Sequence, residues 1–108
     1  MENTMKKIFT GKELLDFLHS FSWGFFCKDP ADYNGVYLRI DPRRFKLYEK
    51  NGVSRLEYNA EWNGWKMAGC TFYGTYFKCD LKESPLETTA VITSDVCNTS
   101  VTTVLRKF

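Results

Sequence analysis

This chain of 108 residues is poor in the side chains from which most catalytic and metal sites are built. It has one histidine, His19, so any mechanism that needs an imidazole must run through one position. Its four cysteines are Cys27, Cys70, Cys79 and Cys97, and the closest two, Cys70 and Cys79, stand nine positions apart. That spacing lacks the short Cys-Cys knuckle of a structural zinc site. A phosphate-cradling loop is missing too, because Gly11-Lys12 has neither the earlier glycine nor the following hydroxyl that the motif requires. No metal or cofactor is implied. Glu57 with Glu61, and Asp80 with Glu83, read as solvated surface charge, and we expect a protein that is not an enzyme.

Long apolar runs and a strong charge of one sign are also absent. The longest apolar run, residues 21–27, falls far short of the about 18–20 residues that cross a bilayer. Lys6 and Lys7 resemble the basic start of a signal peptide, but Lys12, Glu13 and Asp16 interrupt the apolar stretch that must follow. A cytoplasmic protein with no membrane segment is expected, and there free cysteine behaves as a small buried hydrophobe. The sequon Asn98-Thr99-Ser100 is silent in that compartment. A net charge of +2 is far below that of a dedicated nucleic-acid binder.

Aromatic residues are what the chain has in excess: nine Phe, six Tyr and three Trp. Each ring buries a large area for little lost conformational freedom, so a small chain can build a core from them. Residues 1–108 are read as one domain, with no repeat, linker or low-complexity tract. Thr10 and Glu13 form a capping box, with Phe9 before the cap and Leu14 at the fourth helical position as its staple. Leu14, Phe17, Leu18 and Phe21 then draw one apolar stripe on a helix that Gly24 is expected to end.

The rest reads as strands. Residues 28–35 form a loop, and residues 36–40 alternate with Val36, Leu38 and Ile40 on one side and Tyr37 and Arg39 on the other. After the Asp41-Pro42 turn, residues 45–50 alternate again. Asn51-Gly52 closes a hairpin onto residues 53–58, and Asn63-Gly64, between Trp62 and Trp65, marks a second hairpin or wide loop. Residues 71–80 carry rings on both faces and are expected to be one central strand, with Gly74 marking a bulge. Residues 81–87 are expected to connect, and residues 88–93 and 101–108 to be strands. The fold class is α+β: an N-terminal amphipathic helix packed on an antiparallel sheet of about five to six strands, a meander with Asn-Gly hairpins.

If the first two long strands pair, Tyr37 and Arg39 share a face with Lys46, Tyr48 and Lys50, with Arg55 from the next strand and Arg43-Arg44 in the turn. Tyr and Arg recur at protein-protein hot spots. The sequence therefore points to a non-catalytic binding protein that occludes another protein or protein complex. Examples of that class are a mobile-element inhibitor of a host defence or nuclease complex, and a toxin-neutralising protein. Cations interleaved with phenols also suit RNA or single-stranded DNA, the alternative reading.

Overall fold

Thr10 starts the helix as its sequence requires. The Glu13 N–H donates to Thr10 Oγ1 at 3.2 Å, and the Thr10 N–H donates to Glu13 Oε1 at 3.0 Å. These bonds satisfy backbone donors that the first helical turn leaves open. In the computed structural model, which describes residues 3–27, 38–62, 65–96 and 100–107 (residues 3, 26, 27, 38, 39, 59–62 and 65–70 by backbone alone), helix α1 spans Gly11–His19. Leu14, Leu18 and Phe21 are buried, while Lys12, Glu13 and Asp16 face solvent. Phe9 lays its ring on Phe17, with centroids 5.3 Å apart. Gly24 does not end the helix: α1 stops at His19, and Gly24 lies in a strand opposite Leu105.

The helix is not the first element. Strand β1, Asn3–Thr10, precedes it and pairs antiparallel with β7, Tyr76–Glu83. Its alternation is hidden because β1 is an edge strand that carries Lys6 and Lys7, residues suited to blunting an exposed edge. Strands β2 (Trp23–Cys27), β3 (Leu38–Ile40), β8 (Glu87–Ser94) and β9 (Ser100–Arg106) complete a six-stranded antiparallel sheet in the order β1-β7-β8-β9-β2-β3. A second sheet contains β4 (Lys46–Lys50), β5 (Val53–Trp62) and β6 (Trp65–Gly74) in chain order. The expected single sheet is thus two, although antiparallel strands with one helix do make up the described residues.

The first Asn-Gly hairpin forms as read. Asn51 and Gly52 both have positive φ, 55° and 77°, which a two-residue turn of matching twist needs. The loop at 28–35, Val36 and Tyr37 of the expected first strand, the turn at Asn63-Gly64, Cys97 and the sequon at Asn98-Thr99 lie outside the described residues. The side chains of Cys27, Cys70, Trp62 and Trp65 do so as well. Strands β7 and β8 extend into residues 81–87, leaving only the turn at 84–86, and the C-terminal segment is strand β9.

Residues 71–80 are not one strand. Phe72 and Gly74 are buried, and so are Phe77, Cys79 and Leu81. In an unbroken strand Phe77 would point away from Phe72, so the change of parity requires a break. The break is a corner at Gly74-Thr75, where the chain leaves β6 in one sheet and enters β7 in the other. Asp95 holds it: Oδ1 accepts from the Thr75 and Tyr76 N–H groups at 2.8 and 3.2 Å, and the Asp95 N–H returns a bond to the Tyr76 carbonyl at 3.2 Å. Ser94 Oγ donates to the Tyr73 carbonyl beside it.

Both sheets share one buried cluster with the helix. Leu14, Leu18 and Phe21 meet Phe45, Leu56, Tyr58 and Phe72 on the small-sheet side, and Ile40, Phe77, Leu81, Ile92 and Leu105 on the large-sheet side. Gly11 lies so close to the small sheet that a Cβ there would run into Ser54 of β5. No helix among the described residues is long and apolar enough to cross a membrane.

Gly74 and Cys79 each carry a testable consequence. A Cβ added at Gly74 would stand 2.8 Å from both Asp95 Oδ1 and Ser94 Oγ, so Gly74→Ala should cost on the order of 1–3 kcal/mol. Thermal unfolding reads this as a Tm drop of about 4–8 °C per kcal/mol, and an unchanged Tm would show that the corner has slack. Cys79 is 1% exposed, and burial pushes its thiol from 9.0 up to about 12, with the Asp80 charge adding to the shift. A thiol held neutral in the fold but free to ionise in the unfolded chain removes stability as pH climbs from the lower value toward the higher. Wild type should therefore lose more stability over that window than Cys79→Ala does. Peptide mapping after alkylation near neutral pH should find Cys79 modified only in denaturant.

Candidate functional site

Alternation along β4, β5 and β6 turns Leu47, Leu56, Tyr58 and Phe72 toward the core and sends the intervening side chains outward. Register then assembles that outward face in rows. Tyr48 stands opposite Arg55, and Arg55 opposite Tyr73. The row beside it contains Lys46, Glu57 and Thr71, and the row at the turn contains Lys50 and Val53. The central row is a phenol, a guanidinium and a phenol spread across three strands. Tyr48 is 44% exposed and Tyr73 43%.

Arg55 does not extend freely into solvent. Its guanidinium carbon sits 4.5 Å from the Tyr48 ring centroid, and its Nε lies 3.7 Å from Glu57 Oε2. Stacking on the ring fixes the side chain, and the carboxylate balances much of its charge. Lys46 and Lys50 are exposed at the two ends of β4. The result is a face with a stacked aromatic and guanidinium centre and ammonium groups along one side.

Of the residues predicted for the site, Lys46, Tyr48, Lys50 and Arg55 do share this face. The pairing expected to add Tyr37 and Arg39 does not form. Arg39 lies on β3, which pairs with β2 in the large sheet, whereas β4 pairs with β5 in the small one. Tyr37 and the Arg39 side chain lie outside what is described. The physical cause is the 3₁₀ turn Pro42–Arg44 between the two strands, which sends the chain into the other sheet instead of folding it back as a hairpin.

Arg43 and Arg44 belong to that turn and are spoken for. Arg43 grips Asp41 with Nε at 2.9 Å from Oδ1 and an Nη at 3.0 Å from Oδ2. The hydrogen bonds from Arg43 hold the Asp41 carboxyl below the usual carboxylate range. Arg44 stands 6.0 Å from the centroid of Tyr58, a ring of the core.

Tyr73 is the member that sequence reasoning missed. A two-residue turn at 63–64 with unbroken pairing would set Arg55 opposite Phe72 and turn Phe72 toward solvent. Instead the register shifts between Ala60 and Glu61: Glu61 pairs with Lys66 while Ala60 pairs with Ala68, leaving Met67 as the extra residue. This bulge puts Phe72 inside and Tyr73 outside. The one available signal is that only the shifted register keeps Phe72 buried beside Leu56.

Two further clusters lie elsewhere. Arg106 stacks over Trp23 at 4.6 Å and bonds Glu87 Oε2 at 3.1 Å through Nε, at a groove of about 670 Å³ that Pro85 and Leu86 also line. His19 Nε2 is 3.0 Å from the Phe45 carbonyl oxygen; the oxygen only accepts, so Nε2 carries the proton. No group of three or more His, Cys, Asp or Glu placed to hold a metal occurs among the described residues.

Comparison with protein-family models, with curated proteins and with solved structures finds no match to the chain. The site's own geometry must therefore carry the functional reading. In a double-mutant cycle, Tyr48→Leu and Arg55→Met should show a coupling of about 0.5–1 kcal/mol in urea unfolding, the range for exposed cation–π pairs. Additive effects would show that the stack contributes nothing to holding the face rigid.

Proposed function

We propose that this protein is a non-catalytic binding protein that occludes a surface of another protein with the outer face of its small sheet. The observation that carries the reading is the Tyr48-Arg55-Tyr73 row. Large amphipathic side chains held on strands lose little conformational entropy on binding, and Tyr and Arg dominate measured hot spots. Arg55 is fixed before any partner arrives, by the ring beside it and the carboxylate next to it.

The same arrangement disfavours nucleic acid. With Glu57 balancing Arg55, the face offers a phosphate chain chiefly Lys46 and Lys50. Each neutralised phosphate of a single strand contributes only about −0.7 to the salt slope of binding, so two lysines make a weak electrostatic grip. A buried free thiol at Cys79 fits the reducing cytoplasm.

The test is affinity capture from a bacterial lysate with and without nuclease, repeated with Tyr73→Ala and Arg55→Ala. A stoichiometric protein that survives nuclease and is lost with either substitution is the expected result, each truncation costing on the order of 2 kcal/mol. Nuclease-sensitive capture, or a partner held equally by both variants, would sink the reading.

A further inference from the structure

The free edge of this same sheet shows how a partner would be engaged. Strand β4 is the outer strand of the small sheet. Asn51-Gly52 is a two-residue turn, so Lys50 and Val53 exchange both of their backbone hydrogen bonds. The ladder alternates from there. Tyr48 bonds with Arg55 and Lys46 with Glu57, whereas Glu49 and Leu47 turn their N–H and C=O groups away from β5. Two observations agree with this parity. Phe45, next in the outward-facing series, gives its N–H to the Pro42 carbonyl at 3.4 Å, and its carbonyl oxygen accepts from His19. On the opposite edge Tyr73, across from Arg55, gives its carbonyl to Ser94 Oγ. Among the described residues the edge is thus closed at Phe45 and open at Leu47 and Glu49.

We propose that β4 receives an extended segment of the partner by antiparallel strand addition, and that this segment carries acidic residues two positions either side of an apolar one. The inference rests on the reading that the small sheet meets a protein. Open backbone groups at alternate residues supply affinity, and the side chains beside them supply choice. The outward side chains of β4 are Lys46, Tyr48 and Lys50. A segment laid along the edge sets its own alternate side chains against these three, so carboxylates at its first and fifth positions meet the ammonium groups and an apolar third meets the ring. A second copy of the chain does not suit. Two-fold pairing about Tyr48 would oppose Lys46 of one copy to Lys50 of the other, the like-charge arrangement that keeps edges apart.

The probe is a fluorescein-labelled peptide, Thr-Glu-Thr-Val-Thr-Glu-Thr, titrated against the whole protein beside its counterpart with Lys for Glu and beside oligo(dT). Glu49→Pro removes an N–H that the fold does not use, as edge positions tolerate. We expect saturable binding of the acidic peptide alone, a loss of at least about tenfold in Glu49→Pro, and slowed hydrogen exchange at the Leu47 and Glu49 amides of wild type when the peptide is present. The exchange measurement decides the matter even where Glu49→Pro fails to fold. Unprotected amides with shifted Tyr48 and Tyr73 ring resonances would overturn strand addition and leave the face reading standing. No binding of the acidic peptide, or equal binding of the Lys peptide, would likewise overturn strand addition. Preferential binding of oligo(dT) would overturn both.

Discussion

The bond between the Asp95 carboxylate and the backbone of Thr75 and Tyr76 is the interaction on which the rest of the structure depends. A sheet that is apolar on one face must bury that face against another element. Here that face, with Leu56, Tyr58 and Phe72, is covered by the helix and by the large sheet. The chain brings the two sheets around one core by turning sharply at Gly74-Thr75, and a sharp turn takes N–H groups out of the ladder. Asp95 accepts from two of them, so the corner carries no unsatisfied donor at those positions. Charged acceptors make such bonds stronger than neutral ones. The acceptor comes from just beyond β8, the neighbour of β7 in the large sheet, so the corner and the sheet that receives it are fixed together.

What was legible in the sequence was what is decided locally. The capping box at Thr10, the stripe through Leu14 and Leu18, and the Asn51-Gly52 hairpin each depend on residues within a few positions, and each stands where it was expected. What was not legible was decided at long range. Strand β1 is ordered by its pairing with β7, from Thr10 opposite Tyr76 to Asn3 opposite Glu83, far along the chain. The corner at Gly74 looks from sequence like a bulge, because Gly relieves crowding in either case, and only the neighbours Ser94 and Asp95 distinguish them. The pairing expected to bring Arg39 beside Lys46 and Tyr48 fails for the same reason. Whether a strand returns beside its predecessor or crosses to another sheet is settled by a three-residue 3₁₀ turn, and Asp41-Pro42 is compatible with both routes.

The register shift between Ala60 and Glu61 shows how little backbone separates a core face from an outer one. With period-two alternation, one extra residue exchanges every inward side chain beyond it for an outward one. Had β6 kept strict register, Phe72 would be exposed and Tyr73 buried, with its hydroxyl in need of a partner. The shift puts the wholly apolar ring inside and the ring with a polar tip at the surface, which burial energetics favour on both counts. The Tyr48-Arg55-Tyr73 row is therefore a consequence of core packing on the other side of the sheet.

Charge follows a parallel logic. Each arginine whose side chain is described already has a partner within the molecule: Arg43 has Asp41, Arg44 the ring of Tyr58, Arg55 both Tyr48 and Glu57, and Arg106 both Trp23 and Glu87. Planar guanidinium groups suit such pairing because they stack and bond at once, whereas a lysine ammonium is strongly hydrated and keeps its reach. Among the described side chains, the exposed cations of the small sheet are thus Lys46 and Lys50, while the arginine at the centre is stacked on Tyr48 and lies beside Glu57. Mobile rim charges steer encounter and register, and a fixed, desolvating centre supplies affinity. On the binding face proposed above, those two tasks would fall to different residues, the lysines at its rim and the stacked arginine at its centre.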